Sequence, residues 1–377
     1  MSPRTATLGS FLLLCLTPSC VSVFGPPVQE SSEALFPRVT EVALSHRQWT
    51  GVTVAPDGRA FLCYPRWGAE VPVSVESFGL DTPEDRQPFP NEEWNRWAPE
   101  LDPAKHFICV QSVVADAEGS LWVLDPANPE FGGIVEGGPK LVAFHAETGR
   151  HLTTISFDED VAPQNSYLND VRIDLQHRVA YITDSGSAAI LVVDLQTGVT
   201  RRLLHGHSSV HSEGTPVTID GRTWGAEQPR LPDVHADGIA LDEETDTLYY
   251  RALTSKRIYN IRTRWLRETL YDAEIPPDKR YGRIRAIAQT GPADGMLFTK
   301  EHGLLVTDLE NHAILKVADG QEPEVLVKDR RLQWPDTLAQ GPNGEIYVTC
   351  SRIFPPAPTR PKLLLRIDPG PESVAAE

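Results

Sequence analysis

The stretch YLNDVRIDLQHRVAYITDS, residues 167–185, carries the pattern that decides the fold. The polar pair Asn169 and Asp170 leads into the run Val171 to Leu175, and after a short polar turn the chain continues as Val179 to Thr183. Alternation of apolar and polar residues with a period of two indicates strands, and a short turn between two such runs indicates an antiparallel pair. The stretch therefore predicts a β-hairpin that opens on a polar residue.

The same unit recurs six times along the chain. A polar residue opens each unit at the same point; these residues are Thr50, Gln111, Asn169, Asp237, Asp294 and Asp336. Repetition at wide spacing indicates a repeat architecture, so we expect the six side chains to form a ring around one axis. The alternative for any one of them is a turn residue that only satisfies its own backbone.

Third strands follow most of the hairpins, and no strong amphipathic helix interrupts the series. These strands are predicted at Lys140 to His145, Ala189 to Asp194, Arg257 to Thr263 and Ala313 to Val317. Together they predict an all-β fold, a six-bladed β-propeller with four-stranded antiparallel blades. Phe36 to Leu44 and Lys362 to Ile367 are also strand-like, so we expect one to complete the blade of the other and leave no exposed edge.

Composition limits the partners of this protein. The 377 residues carry a formal net charge of −17, spread along the chain without an acidic block. A surface of that sign repels nucleic acid and anionic membranes, so we expect neither as a partner. The expected partner is a small-molecule ligand, and we expect the protein to be a monomer.

Residues 1–25 predict an export signal. Arg4 is the only charged residue, and the apolar stretch Leu8 to Leu16 is too short to span a bilayer. Two alternatives stay open, plain secretion and acylation of Cys20 as a lipid anchor. We expect a propeller domain at 26–368, a disordered tail at 369–377, and an exported protein that is secreted, periplasmic or an outer-envelope lipoprotein. The remaining cysteines Cys63, Cys109 and Cys350 lie in apolar strand contexts, which predicts buried free thiols.

Several ordered motifs resemble the major royal jelly protein and Yellow family, from about residue 42 to 353. The supporting segments include Cys63-Tyr64-Pro65-Arg66-Trp67, Val110-Gln111-Ser112-Val113, Tyr167-Leu168-Asn169-Asp170-Val171, Asp237-Gly238-Ile239-Ala240-Leu241 and Leu332-Gln333-Trp334-Pro335-Asp336. The resemblance implies an exported six-bladed propeller that binds a small molecule at one mouth of its channel. Animal members include dopachrome-converting enzymes and salivary proteins that bind biogenic amines. Together with the possible lipoprotein signal, a departure after Asp125, where insect members commonly have a disulfide cysteine, identifies the chain as a bacterial-type member.

A second, weaker likeness is to calcium-dependent propellers of the gluconolactonase and regucalcin type. In that group an Asn and an Asp at the ring position, with a Glu from the first blade, hold a divalent ion. Asn169 and Asp237 match, whereas Thr50 does not supply the Glu. Ring oxygens are hard ligands, so the expected cofactor is a divalent cation, Ca²⁺ or Mg²⁺, and no organic cofactor.

Without a metal, crowded carboxylates raise one another's pKa, and one of them can act as a general base near neutral pH. We predict Asp237 for this role, with His235 as its partner in proton transfer. The ligand is expected to contact Gln111, Asp294 and Asp336, with Trp49 and Trp334 stacking on it. The alternatives are a rim histidine without a catalytic role and tryptophans that only fill the core.

Two further segments have a structural and a functional interpretation. The histidines of residues 205–211 could hold a metal, but a Gly- and Ser-rich sequence there predicts a solvated surface loop. Glu92 and Glu93, with Trp94 and Trp97, predict a short helix or a lid over a channel mouth, or a surface insertion.

The sequence leaves three classes of function in view, one of which is a scaffold that displays its loops to another protein at the envelope, a use that the fold permits. Another class is an enzyme acting on a small cyclic or aromatic metabolite, by tautomerisation of the dopachrome type or by metal-assisted lactone hydrolysis. The remaining class is a non-catalytic binding protein for small amines or other aromatic ligands. The ring of carboxylates favours the enzyme.

Overall fold

The computed structural model describes residues 37–68, 70–272, 281–356, 359–368 and 370. These residues form six four-stranded antiparallel sheets and one two-stranded hairpin. The first strands of successive sheets contact one another in a closed circle. The predicted all-β, six-bladed propeller is therefore confirmed. The predicted export signal with Cys20, and all of the predicted tail except Gly370, lie outside the described residues.

The strands are numbered along the chain, and within a blade they run from the axis outward. Blade 1 contains β2 (Val52–Val54), β3 (Arg59–Cys63), β4 (Val75–Gly79) and β5 (Gln87–Pro88); blade 2 contains β6 (Ser112–Ala115), β7 (Ser120–Asp125), β8 (Lys140–His145) and β9 (His151–Ser156); blade 3 contains β10 (Leu168–Asp174), β11 (Val179–Asp184), β12 (Ala189–Asp194) and β13 (Thr200–Leu203). Blade 4 contains β16 (Ala236–Asp242), β17 (Thr247–Ala252), β18 (Arg257–Arg262) and β19 (Arg285–Gln289); blade 5 contains β20 (Met296–Thr299), β21 (Gly303–Asp308), β22 (Ala313–Val317) and β23 (Glu324–Lys328). The hairpin between blades 3 and 4 in sequence consists of β14 (Thr218–Ile219) and β15 (Arg222–Thr223).

Blade 6 combines strands from opposite ends of the described sequence. It contains β24 (Pro335–Gln340), β25 (Ile346–Cys350), β26 (Lys362–Asp368) and, outermost, β1 (Arg38–Ser45). β1 pairs antiparallel with β26, with Val39 opposite Ile367. The predicted closure of the ring is confirmed, and β1 covers the outward edge of β26, which would otherwise be exposed.

Two short α-helices occur among the described residues, α1 (Glu92–Asn95) and α2 (Arg264–Tyr271), with 3₁₀ turns at Pro103–Lys105, Pro129–Phe131 and Ser208–Val210. The sequence did not predict α2, which buries Leu266 and Leu270 on one face. Two apolar residues one turn apart are too few to distinguish a helix from a loop by periodicity. No helix in the described part of the chain is long and apolar enough to span a membrane.

Helix α1 confirms the predicted short helix but not the predicted lid. The Asn91 side chain accepts the Trp94 N–H at 3.0 Å and caps the helix. The Trp94 ring then packs edge-on against Phe144 of blade 2, 5.0 Å between centroids. Its apolar surface is therefore buried on the flank of blades 1 and 2.

Side chains on the second strands join neighbouring blades at the axis. Cys63 Sγ accepts the Gly51 N–H of its own blade and donates to the Gln111 carbonyl of blade 2, both at 3.2 Å. Thr183 and Thr349 make the same pair of contacts from blades 3 and 6 to blades 4 and 1. Each bridge satisfies two buried backbone groups and fixes the backbone of a ring residue.

The predicted free, buried cysteines are confirmed for all three that the structure describes, Cys63, Cys109 and Cys350. Burial raises the pKa of the Cys63 and Cys109 thiols to about 12. Both thiols therefore stay protonated at neutral pH, which is the state in which Cys63 can donate its hydrogen bond.

Glycine follows the ring residue where adjacent inner strands come closest. A Cβ atom on Gly295 would lie 1.9 Å from the Asp336 carbonyl oxygen, and one on Gly238 would lie 2.4 Å from the Asp294 carbonyl oxygen. Both contacts are with backbone atoms of the next blade, which cannot move aside alone. The Asp-Gly steps in the sequence are thus required by the close approach of the strands.

We expect Gly295→Ala to lower the free energy of unfolding by about 2–4 kcal/mol, because blades 5 and 6 must separate to admit the methyl group. Urea denaturation followed by tryptophan fluorescence measures the change. Gly68→Ala is the matched control, since a Cβ atom there would meet nothing within 4 Å. Equal stability of the two variants would contradict the packing argument.

Candidate functional site

β-Bulges turn three of the ring residues towards the axis. The pairing of β10 with β11 shifts between Leu168 and Val171, and the same shift occurs at the starts of β16 and β24. Asn169, Asp237 and Asp336 occupy these bulges. An extra residue in a bulge re-aims a side chain that would otherwise alternate along the strand.

Five of the six ring residues lie together on the floor of one cavity of about 640 Å³: Gln111, Asn169, Asp237, Asp294 and Asp336. All five are less than a tenth exposed. Thr50 is the exception, because its hydroxyl turns into the blade interface and donates to the Gln111 carbonyl at 2.9 Å. The ring therefore presents amides and carboxyl groups from blades 2 to 6.

Aromatic rings form the wall of the cavity on one side. Phe131 stacks on Tyr167 with 5.4 Å between centroids, and Trp67 lies 5.6 Å from Phe131 at a tilt of 31°. Phe131 is 62% exposed, which is unusual for a large apolar side chain. A flat ligand would cover this surface.

A second aromatic pair forms another part of the wall. Trp224 meets Trp334 edge-on at 5.0 Å, and the Trp334 Nε1–H donates to Asp294 Oδ2 at 2.7 Å. Trp334 has the left-handed backbone conformation, φ 54°, immediately before β24. That conformation is costly for a tryptophan and is held by the hydrogen bond and the packing.

The three carboxyl groups of the floor are buried, and the charge of one of them, Asp237, acts on the guanidinium of the fully buried Arg251. None of Asp237, Asp294 and Asp336 forms an ion pair within the described part of the chain. Burial raises the pKa of Asp294 to about 6, although hydrogen bonds from Trp334 and Asp237 oppose that rise. Burial, and then the negative charge of Asp294, raise the pKa of Asp237 and of Asp336 well above the ordinary value.

In the hydrogen-bonded pair Asp237 and Asp294, one carboxyl group is ionised and the other is protonated. Asp294 accepts from Trp334 as well and has the lower pKa, so it is the carboxylate of the pair. Asp237 holds the proton and donates it. Two neighbouring carboxyl groups with separated pKa values are the usual arrangement of an acid and a base at one site.

A fourth buried acid, Asp170, lies behind the floor. It accepts from the Ser112 hydroxyl at 3.0 Å and lies 3.7 Å from the Arg172 guanidinium. Arg172 reaches from blade 3 to the Met296 carbonyl of blade 5 at 2.8 Å, and it lines a second cavity of about 310 Å³. The Asp170 charge contributes to the raised pKa values of all three floor carboxyl groups.

Two sequence-predicted residues lie elsewhere. Trp49 is fully buried, packs against Tyr64 in the interface of blades 1 and 6, and does not line the cavity. His235 is not a lining residue either; its Nδ1 accepts the Ser212 N–H at 3.0 Å, and no hydrogen bond joins it to Asp237 among the described residues. The structure therefore does not bring His235 to Asp237 as the predicted proton-transfer partner. Burial lowers the pKa of His235.

The loop at residues 205–211 is solvated only in part. Ser209 and Val210 are buried, and the Ser209 hydroxyl lies 2.8 Å from both His207 Nδ1 and the Tyr250 hydroxyl. Across the described ranges, one group of side chains has the geometry of a metal site, Asp174, His177 and Asp246. Arg267 already pairs with both of its carboxylates, so this cluster is an ion-pair network.

The predicted divalent cation does not fit the present arrangement of its two ligands. Asn169 Oδ1 accepts the Gln111 Nε2–H at 2.8 Å, and the Asp237 carboxyl is hydrogen-bonded to Asp294. Thr50, the blade 1 residue, faces away. Both candidate ligand groups are therefore already hydrogen-bonded to other side chains, and a cation there stays a prediction.

Apart from Trp334, the aromatic residues of the wall were not predicted from the sequence. Tyr167 and Trp67 both lie within the motif segments that carry the family resemblance, at the start of one and at the end of the other. Phe131 and Trp224 lie in long loops between strands, where no periodicity places a side chain. These loops come to lie at the cavity only because the blades close into a ring.

The pH dependence of stability follows from Asp294. Its pKa is about 6 in the folded protein against 3.8 in an exposed aspartate, so the folded state keeps a proton that the unfolded chain releases between about pH 4 and 6. The free energy of unfolding therefore falls as pH rises through this window. The full difference corresponds to roughly 3 kcal/mol as an upper limit.

We expect Asp294→Asn to abolish the fall in the free energy of unfolding above pH 4. The variant should unfold at a higher temperature than the wild type at pH 7.5, and at nearly the same temperature at pH 4. Thermal unfolding by circular dichroism across this range measures it. Asp85→Asn, an exposed change of equal charge, is the control. A destabilised Asp294→Asn at pH 7.5 would contradict the assignment.

Comparisons with known proteins agree with the fold and the motifs. The sequence profile of the major royal jelly protein family matches residues 108–353, more than half of the chain. Major royal jelly protein 1 of Apis mellifera is 22% identical over 300 residues, covering 71% of this chain and 64% of the bee protein. Major royal jelly protein 2 of Apis mellifera is 25% identical over 189 residues, covering 47% and 38%. The matches thus span less than two thirds of the length of either curated relative.

Solved structures are similar at the level of the fold. A luciferin-regenerating enzyme has a TM-score of 0.53 at 14% identity, covering 88% of this chain and 95% of its own. The PQQ-bound aldose sugar dehydrogenase of Streptomyces coelicolor has a TM-score of 0.51 at 10% identity, covering 88% and 98%. Identities this low show the architecture alone. The family follows from the sequence profile, which matches more than half of the chain: the chain belongs to the major royal jelly protein family.

Proposed function

We propose that the cavity binds a small cyclic or aromatic metabolite and catalyses its isomerisation by proton transfer, a tautomerisation of the dopachrome type. The observation that carries the proposal is the hydrogen-bonded pair Asp237 and Asp294, buried together with separated pKa values. Family resemblance supports the substrate class. The predicted export signal makes this an activity outside the cytoplasm.

In this proposal, the two carboxyl groups divide the work. Asp294 removes a proton from a carbon beside a carbonyl, while Asp237 gives its proton to the carbonyl oxygen. The proton on Asp294 then passes back to Asp237 through the hydrogen bond that joins them, so the pair is restored and the substrate is isomerised. Sequence analysis assigned the base to Asp237; the hydrogen bond from Trp334 to Asp294 favours the reverse order.

The other residues of the cavity bind and orient. The ring of Phe131 and the Trp224–Trp334 pair offer apolar faces for a flat substrate, and Asp336 is a further hydrogen-bonding group on the floor. Positioned acid–base catalysis of this kind contributes about 10²–10⁴ in rate. Binding against the aromatic wall also excludes water from the carboxyl pair.

We expect purified protein to convert dopachrome, with a rate that rises as pH increases through about 6, because Asp294 must be ionised. Asp294→Asn should lower kcat at least about 100-fold while remaining folded. A lactone panel, with and without Ca²⁺, runs in parallel. Asp85→Asn is the control of equal charge change.

Turnover of dopachrome that Asp294→Asn and Asp237→Asn leave unchanged would refute the assigned roles. Ca²⁺-dependent lactone hydrolysis lost in Asn169→Ala would instead establish the metal-assisted hydrolase. No turnover of any substrate in the panel would favour the binding protein considered next.

The second candidate is a non-catalytic protein that binds aromatic amines. None of the three floor carboxyl groups forms a salt bridge within the described chain, and aromatic side chains line the same cavity, which is a suitable setting for a protonated amine. An ammonium group would supply the missing positive charge. The amine would hold Asp294 in its ionised state.

We expect calorimetry with dopamine to show binding that weakens as pH falls below about 6, because protonated carboxyl groups no longer attract the cation. Asp336→Asn should weaken binding about tenfold, and Asp85→Asn should not. Binding without conversion would support this candidate. Binding that is independent of pH would exclude the carboxyl groups as its partner.

A further inference from the structure

We propose that Trp67 and Tyr167 are positioning residues, which hold the Asn169 amide with its NH₂ group towards the cavity and its oxygen away from it. The cavity floor would then meet a ligand at Asn169 as a hydrogen-bond donor. The inference rests on the proposed function only in taking this cavity as the ligand site, and it names the chemistry recognised there.

A chain of hydrogen bonds runs from Trp67 to Asn169, and Trp67 fixes its donor-to-acceptor direction. An indole Nε1–H can only donate, and here it donates to the Tyr167 hydroxyl oxygen. The Tyr167 hydrogen is then directed to another acceptor, and Gln111 Oε1 lies at 3.0 Å. The other neighbour, Cys109 Sγ, lies at 4.0 Å and is a weaker acceptor.

The same donor-to-acceptor direction fixes the orientation of the Gln111 amide and then of the Asn169 amide. Because Gln111 Oε1 accepts from Tyr167, its Nε2 faces the other way and donates to Asn169 Oδ1 at 2.8 Å. The Asn169 oxygen is occupied by that bond. Its Nδ2 has no protein partner in the described part of the chain, although the residue is only 7% exposed and lines the cavity.

Phe131 shields this chain of hydrogen bonds from water. Its ring stacks on Tyr167 and lies against Trp67, so it covers the hydrogen bond between them. The backbone of the loop is strained to place it there, since Ala127, Glu130 and Phe131 all have φ between 52° and 55°. The Glu130 N–H, bonded to the Arg66 carbonyl at 2.7 Å, ties the loop to the segment that carries Trp67.

The orientation of one amide selects the ligand. An NH₂ group that faces the cavity without a protein partner loses its hydrogen bond to water when a ligand enters, unless the ligand brings an acceptor such as a carbonyl or hydroxyl oxygen. A divalent cation requires the amide oxygen, which is turned away. The site is therefore selective for an acceptor oxygen at Asn169 and against a metal ion.

The test uses Tyr167→Phe and Trp67→Phe in the full-length protein, with Ca²⁺ alone as the probe and ¹⁵N NMR of the side-chain amides. The Asn169 and Gln111 amide signals are assigned from Asn169→Asp and Gln111→Glu spectra. Tyr250→Phe is the matched control, because it removes a buried tyrosine hydroxyl bonded to Ser209 in blade 4.

We expect Tyr167→Phe to shift the Asn169 amide signals and to raise Ca²⁺ affinity on the order of fivefold, as Asn169 becomes free to turn its oxygen inward. Trp67→Phe should act in the same direction, and the double variant should add little, because both residues belong to one chain. Tyr250→Phe should change neither measurement.

Unchanged Asn169 signals in both variants would overturn the proposal, as would a wild-type protein that binds Ca²⁺ as tightly as Tyr167→Phe. Neither measurement depends on turnover. Failure of the proposed enzyme activity is thus distinguishable from failure of this inference. Should Tyr167→Phe not fold, Trp67→Phe gives the same reading.

Discussion

The contact between inner strands at the axis is the constraint on which this structure depends. Six strands meet there, and the backbones of three ring residues accept a side-chain hydrogen bond from the neighbouring blade: Cys63 donates to Gln111, Thr183 to Asp237 and Thr349 to Thr50. Such bonds are made in a dry interior, where an unpaired carbonyl would be costly. They allow side chains from five blades to converge on one floor without any of them being on a long, mobile loop.

That floor is unfavourable for stability and useful for chemistry. Three buried carboxyl groups without a salt bridge in the described residues must hold protons or find a positive partner, and either condition makes them responsive to the molecule that enters. The packing of the surrounding blades offsets the unfavourable free energy of burying these acids. Strain in the Phe131 loop and at Trp334 is concentrated around the same cavity, as is common where binding is performed.

The fold was predictable from the sequence because its signals are local. Alternation in β10 and β11, the turn between them and the repetition of the pattern were enough to predict blades, and the strand-like segments around Val39 and Ile367 predicted the closure. The floor residues were found because one position in each repeat differs in polarity. Thr50 and Trp49 were misplaced because a sequence position adjacent to the ring does not specify a rotamer or a direction.

What could not be predicted depends on contacts between distant blades. Trp67, Phe131 and Tyr167 come from blades 1, 2 and 3 and meet only after the ring closes. The protonation of Asp294 likewise depends on Asp237, Trp334 and Asp170, each from a different blade. Spacing along the chain contains none of this information, whereas residue type alone showed that acid–base chemistry was available.

The pairing of β1 with β26 has a consequence for biogenesis. Residues 38–45 are synthesised early but find their hydrogen-bonding neighbour only when residues 362–368 have emerged, so the first strand waits with an unsatisfied edge while five blades accumulate. Asp336 belongs to the same late sheet. The pocket is therefore completed late in folding. A prematurely terminated chain would expose the unpaired edge of β1 and would lack part of the cavity floor.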